Sequence, residues 1–189
     1  LSCEQLIDTG VREAQANRLE AAEQALTSAI SCGGGALREL AGVRLLQRRW
    51  SDVEALASAA VAQDSADTYA WKLLGTARFV ANDTGGALDA WNHAGEPRID
   101  LIRVDGLDRV RQRPIEQMLA IAPADILTRD RLRRAERQVA ELPAAARTGV
   151  AYVPAANGTA QLRVTVVERP LLPSDRKSTR LNSSHTDIS

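Results

Sequence analysis

The chain has 189 residues, enough for one domain or two small ones. An apolar fraction of 44% supports a buried core and excludes global disorder, while 3% aromatic residues leave Ala, Leu and Val to build that core. A formal net charge of zero argues against a nucleic-acid-binding surface of the usual basic kind, and no run reaches the roughly 20 apolar residues of a transmembrane helix.

The first residue is Leu1 rather than Met, so the chain reads as a fragment, and the missing secretory signal says nothing about compartment. Residues 1–96 read as paired, Ala-rich helices. Leu37-x-x-Leu40-Ala41 precedes Trp50-Ser-Asp-Val53 and Ala57-x-x-Ala60. Trp71-x-x-Leu74-Gly75 precedes Gly85-Gly-Ala87 and Trp91-x-x-Ala94, and the two registers superimpose at a shift of 34. A weaker copy upstream, Leu6-x-x-Thr9-Gly10 then Ala22, Leu26 and Ala29, is offset by 31. Turns are expected at Asn17-Arg18, Arg48-Arg49 and Asn82-Asp83. Small residues (Gly10, Ala41, Gly75) belong where helices cross closely, and large ones (Leu26, Trp91) belong in the gaps.

This pattern resembles the tetratricopeptide repeat, a helix-turn-helix unit of 34 residues. Ala57 stands where the family has an aromatic residue, and Ser65 where it has a closing proline. The resemblance implies a solenoid with a concave surface for peptide or protein binding. The candidate groove residues are Tyr69, Lys72, Thr76 and Phe79. A structural-spacer role fits the same residues.

Cys3 and Cys32 flank the first helical pair. In a hairpin turning between Asn17 and Arg18 they lie opposite each other, which makes a disulfide geometrically plausible. Two semi-buried thiols, or a lipid-modified Cys3 at the end of a truncated lipoprotein signal, are the other open readings. Gly33-Gly-Gly35 is a linker rather than a phosphate loop, because no strand precedes it and no Gly-Lys-Ser/Thr follows. His93 reads as a surface helix residue, since one histidine without ligand spacing makes no metal site. The residues form no catalytic constellation, so no enzyme activity, cofactor or metal is expected.

After Pro97 the pattern changes. Ile99 to Gly106 reads as a mostly buried strand. A short helix is expected over Pro114 to Ile121 and a longer one over Thr128 to about Leu142, with Thr128 as its N-cap. Strands follow around Val150 and Tyr152 and over Gln161 to Glu168, separated by an Asn157-Gly158 turn. Leu162, Val164 and Val166 share the face that the two helices should cover. The expected fold class is therefore an all-α helical repeat followed by a small α+β unit of β-α-α-β-β order, with boundaries 1–96 and 98–173.

Five features carry a second resemblance: Val104-Asp-Gly106, Pro114-Ile115-Glu116, the Leu127-Thr128 helix start, the Asn157-Gly158 turn, and the close Val164-Thr-Val-Val-Glu-Arg-Pro170. Together they resemble a POTRA domain, the polypeptide-transport-associated module. Leu142-Pro143-Ala144 departs from that family, which has a Gly-aromatic pair before its second strand. The resemblance implies a periplasmic module ahead of an outer-membrane β-barrel of the BamA and TamA type. The implied partners are unfolded or extended polypeptides and other outer-membrane assembly proteins. The membrane would be reached only through a barrel beyond Ser174. Clients would pair with an edge strand at Thr148, Gly149, Val150, Ala151, Tyr152 and Val153. The alternatives are a tetratricopeptide scaffold without a barrel and a cell-division protein of FtsQ type.

Residues 175–189 read differently. Asp175 to His185 matches, residue for residue, the translation of a common sequencing-adapter string. The segment is expected to be a non-native, disordered tail, which removes His185 as a candidate ligand. Without it the net charge becomes −1.

Overall fold

The computed structural model describes residues 1–33, 35–109 and 111–170. Residues 171–173 of the expected second domain, the whole adapter-like tail and the middle residue of the Gly33–Gly35 linker lie outside this set.

Six helices come first: α1 (Cys3–Gln15), α2 (Leu19–Ser31), α3 (Leu37–Leu46), α4 (Trp50–Gln63), α5 (Thr68–Val80) and α6 (Thr84–His93). They form three antiparallel pairs, as the repeat pattern implies. The chain reverses within each pair through one shared device. Asn17, Arg48 and Asn82 adopt left-handed backbone, with φ of 58°, 58° and 66°. The next amide in each case donates five residues back: Arg18 to Glu13, Arg49 to Arg44 and Asp83 to Arg78, each at 2.9 Å. This double-ended closure satisfies helix carbonyls that would otherwise be orphaned.

Packing within the pairs explains the small and large residues. A Cβ on Gly75 would come within 2.5 Å of Trp91 Cδ1, and one on Gly10 within 2.5 Å of Leu26 Cγ. At the matching place in the second pair stand Ala41 and Ala57, both fully buried in one cluster. Two pairs therefore join a glycine to a large side chain, and the middle pair joins two alanines.

The second half runs β1 (Arg98–Asp105), α7 (Gln112–Leu119), α8 (Arg129–Ala140), β2 (Ala145–Pro154) and β3 (Thr159–Glu168). The β-α-α-β-β order is as expected. Helix α7 starts two residues earlier than the sequence suggests, because Pro114 tolerates the third helical position as well as the first. Thr128 Oγ1 accepts from the Arg131 amide at 3.2 Å and caps α8 as expected. The strand order is β1-β3-β2, with β3 parallel to β1 and antiparallel to β2. Ala160, Leu162, Val164 and Val166 of β3 face the helices and are buried.

The opposite face of the sheet is open among the described residues. Leu101 sits there, 53% exposed, so the first strand is less buried than its composition suggests. A register shift between Ile99 and Leu101 turns Leu101 outward while keeping Ile99, Ile102 and Val104 on the core side. Gly106 ends β1 at φ +85°, where an added Cβ would strike the Val166 carbonyl. Glu168 closes the loop that follows, accepting from the Asp108 and Arg109 amides at 3.0 and 2.9 Å and from Arg109 Nε at 2.9 Å.

The two halves share one core. Ala87, Leu88 and Trp91 of α6 cluster with Ile99, Leu127, Leu132, Val139 and Tyr152 of the second half. Asn92 Nδ2 donates to the carbonyls of Glu96 and Leu127 at 2.9 and 3.0 Å, and Arg129 Nη2 meets Asp89 Oδ2 at 2.6 Å. The second half is thus docked onto the last helix pair rather than hung from it.

Candidate functional site

Two concavities border the inner face of the helical stack. The first lies across the odd-numbered helices. Val11, Ala14 and Gln15 of α1, Arg38, Glu39, Gly42, Leu45 and Leu46 of α3, and Tyr69 of α5 line a groove of about 560 Å³. Leu46 and Tyr69 are 55% and 51% exposed, the most exposed of the large apolar side chains on the described helices. The groove is apolar along most of its length and polar at one end. There Arg38 donates from Nε and Nη2 to Glu39 Oε1, at 3.0 and 2.5 Å, and from Nη1 to Asp67 Oδ2 at 3.3 Å. These carboxylates, Glu39 first, push the Arg38 pKa up. Glu39 Oε2 is shut off from solvent and receives no hydrogen bond from the described residues.

The second concavity, of about 470 Å³, lies where the β2–β3 turn faces α5. Lys72, Thr76 and Phe79 line it from the helix and Pro154 to Thr159 from the turn, with Glu96 and Pro97 at its floor. Lys72 Nζ is held by Glu96 Oε1 at 2.7 Å. Thr76 Oγ1 donates to the Lys72 carbonyl at 2.9 Å. Phe79 makes tilted ring contacts with Trp91 and Tyr152, at centroid distances of 5.7 and 5.5 Å.

The four groove residues expected from sequence are thereby divided. Tyr69 faces the first groove, while Lys72, Thr76 and Phe79 belong to the second. The groove residues on α1 and α3 carry no sequence signal beyond helical spacing, and that is why they escaped notice. Glu39 could have been found as an acidic residue on the groove side of α3, but its missing partner could not.

Residues Thr148 to Val153 lie on β2, an edge strand whose outer side pairs with no strand among the described residues. Their side chains divide by face. Gly149, Ala151 and Val153 point to the open face, whereas Tyr152 is only 4% exposed and packs into the shared core. Tyr152 Oη donates to the Thr84 carbonyl at 2.7 Å. Burial first, then the Asp83 charge, raises its pKa well above the usual phenol value. Its side chain serves docking rather than peptide contact, because β2 turns that face to α6.

Cys3 and Cys32 are brought together, with Cα atoms 6.0 Å apart, within the span of a disulfide. His93 is exposed and its ring stacks on Trp71 at a centroid distance of 3.9 Å. Among the described residues no group of His, Cys, Asp and Glu could hold a metal ion, and no helix is long and apolar enough to cross a membrane.

No protein-family model matches the chain, and no curated protein does. Solved structures of tetratricopeptide domains resemble it. The first TPR of Spaghetti (RPAP3), bound to the HSP90 peptide SRMEEVD, is 17% identical with a TM-score of 0.47, over 49% of this chain and 75% of that one. The Arabidopsis OM64 TPR domain is 21% identical with a TM-score of 0.48, over 49% and 79%. The Sgt2 TPR domain from Aspergillus fumigatus is 20% identical with a TM-score of 0.47, over 82% and 89%. At these scores the likeness adds nothing to the helix-pair geometry described above.

Proposed function

We propose that the chain is a non-enzymatic protein-interaction scaffold whose helical stack holds a polypeptide segment in the groove between α1, α3 and α5. The observation that carries this reading is the apolar groove itself, with Leu46 and Tyr69 exposed on its walls. A peptide laid there removes those side chains from water, at roughly 25 cal/mol per Å² of apolar surface. The second half fixes the last helix pair and so holds the groove in one shape. The test is a random peptide library panned on the full chain, with hits re-measured by fluorescence anisotropy on wild type, Leu46→Asp and Tyr69→Ala. Loss of at least about tenfold in affinity on Leu46→Asp is expected, since a charge would then be buried under the peptide. Hits that bind all three proteins equally refute the groove as the site.

A second reading rests on β2. Its outer edge, unpaired among the described residues, in a β-α-α-β-β unit resembling a POTRA domain, suits addition of an extended client strand. That role would place the protein in the periplasm, serving outer-membrane barrel assembly. An NMR titration with an extended client peptide tests it. Shifts are expected at the amides of Thr148, Gly149, Val150, Ala151 and Val153, and shifts confined to the helical stack refute it.

A further inference from the structure

The groove's polarity narrows its occupant, an inference that rests on the scaffold reading above. At the polar end of the groove the Arg38 guanidinium meets two carboxylates, Glu39 on the groove wall and Asp67 outside the lining. Arg38 spends both of its Glu39 contacts on Oε1. Oε2 is left buried without a donor, an arrangement that costs free energy until a donor is supplied. Lys72, which lines the neighbouring concavity, is already neutralised by Glu96. The wider field has the same sign. Residues 1–97 carry 8 Lys and Arg against 13 Asp and Glu, while residues 98–170 carry 13 against 9. The acidic half is the half with the groove, hidden in a chain whose total charge is zero.

We infer that the groove takes a segment in which a lysine or arginine is flanked by apolar residues. The apolar side chains lie along Val11, Ala14, Leu45, Leu46 and Tyr69. The cation reaches Glu39, whose carboxylate turns about its soft terminal torsion to present Oε2. A charge-assisted bond to a carboxylate oxygen drawn from a mostly apolar groove is worth more than one made in water. The net negative field of the first half adds a salt-dependent attraction.

Three end-blocked, fluorescein-labelled heptapeptides test this on the full chain. All share alternating leucines, with the remaining positions Lys, Gln or Glu. Anisotropy is expected to rank them Lys, Gln, Glu, with about tenfold between the first two in low salt. Glu39→Gln should remove most of that gap. Glu20→Gln, which removes an equal charge from the exposed side of α2, should leave the gap in place. If Glu20→Gln and Glu39→Gln weaken the Lys peptide equally, only net charge matters and the Glu39 assignment falls. If the Glu peptide binds as tightly as the Lys peptide, and loses affinity on Leu46→Asp, the basic-segment inference is overturned and the groove stands. If none of the three binds, both the inference and the scaffold reading fall.

Discussion

Replacing Gly75 with alanine tests how the helix pairs are packed. The added methyl would lie 2.5 Å from both Cδ1 and Nε1 of Trp91 and 2.8 Å from Cγ. The indole is rigid and cannot bend aside, and its Nε1 is tied to the Lys72 carbonyl at 3.2 Å. Overpacking of this kind costs roughly 1–3 kcal/mol. Against that, alanine is the better helix former by about 1 kcal/mol. The net expectation is a loss of about 0–2 kcal/mol, or a melting temperature lower by up to about 6 °C for a domain of this size. The informative experiment is a double-mutant cycle with Trp91→Ala, read by urea unfolding. Trp91→Ala alone leaves a cavity and costs about 3–5 kcal/mol. In that background Gly75→Ala should no longer cost anything and should gain about 1 kcal/mol, giving a coupling of about 1–3 kcal/mol. The middle pair, with Ala41 and Ala57 together, is this combination already realised in the chain. Equal cost of Gly75→Ala in both backgrounds would refute the complementarity argument.

Three further outcomes follow from the electrostatics and covalent geometry. Tyr152→Phe should lower stability by about 1 kcal/mol through loss of the bond to the Thr84 carbonyl, measured by urea midpoint at neutral pH. Because the Tyr152 pKa is raised, its contribution is complete below the unfolded value of about 10 and is lost as pH rises beyond it; Tyr152→Phe should therefore flatten the alkaline limb of the stability profile. Glu23 is held below the usual carboxylate value by its Arg44 contact and then by Gln47, so its contribution is present above about pH 4.3 and disappears as pH falls through the lowered value; Glu23→Gln should remove that part of the acid sensitivity in a pH titration of the urea midpoint. Cys3→Ser should cost the oxidised chain about 3.5 kcal/mol for the loop between Cys3 and Cys32, with no further loss on adding reductant, and a mass measurement finding two free thiols after air oxidation would refute it.

The helix pairs were legible because helix-helix crossing is a periodic constraint. Glycine at 10 and 75 and alanine at 41 recur at near-fixed spacing, and the reversal at Asn17, Arg48 and Asn82 recurs with them. The β-α-α-β-β order was legible for a similar local reason, since prolines, an N-cap threonine and Asp-Gly and Asn-Gly turns punctuate it. What the sequence concealed is what long-range packing decides. Nothing local distinguishes Tyr152 as a docking residue rather than an exposed strand residue, because its partners Thr84, Phe79 and Trp91 lie far away in the chain. Nor does the net charge reveal that acid and base are segregated between the halves. Leu101 looked buried because the register shift beside it depends on its partner strand.

Docking of the second half changes what the groove can be. In a repeat array the last helix pair exposes an apolar face that a capping element must cover. Here that face is Ala87, Leu88 and Trp91, and it is covered by the helices and sheet of the second half, Tyr152 included, rather than by a further repeat helix. The cap also reaches around to α5. The turn from Pro154 to Thr159 stands over Lys72, Thr76 and Phe79, so the inner face of α5 is open at Tyr69 and walled further along. On the proposed scaffold reading, a segment laid across α1 and α3 would therefore end or turn at Tyr69 instead of continuing toward Phe79. On that reading the unit that stabilises the stack would also set the length of peptide that the groove takes.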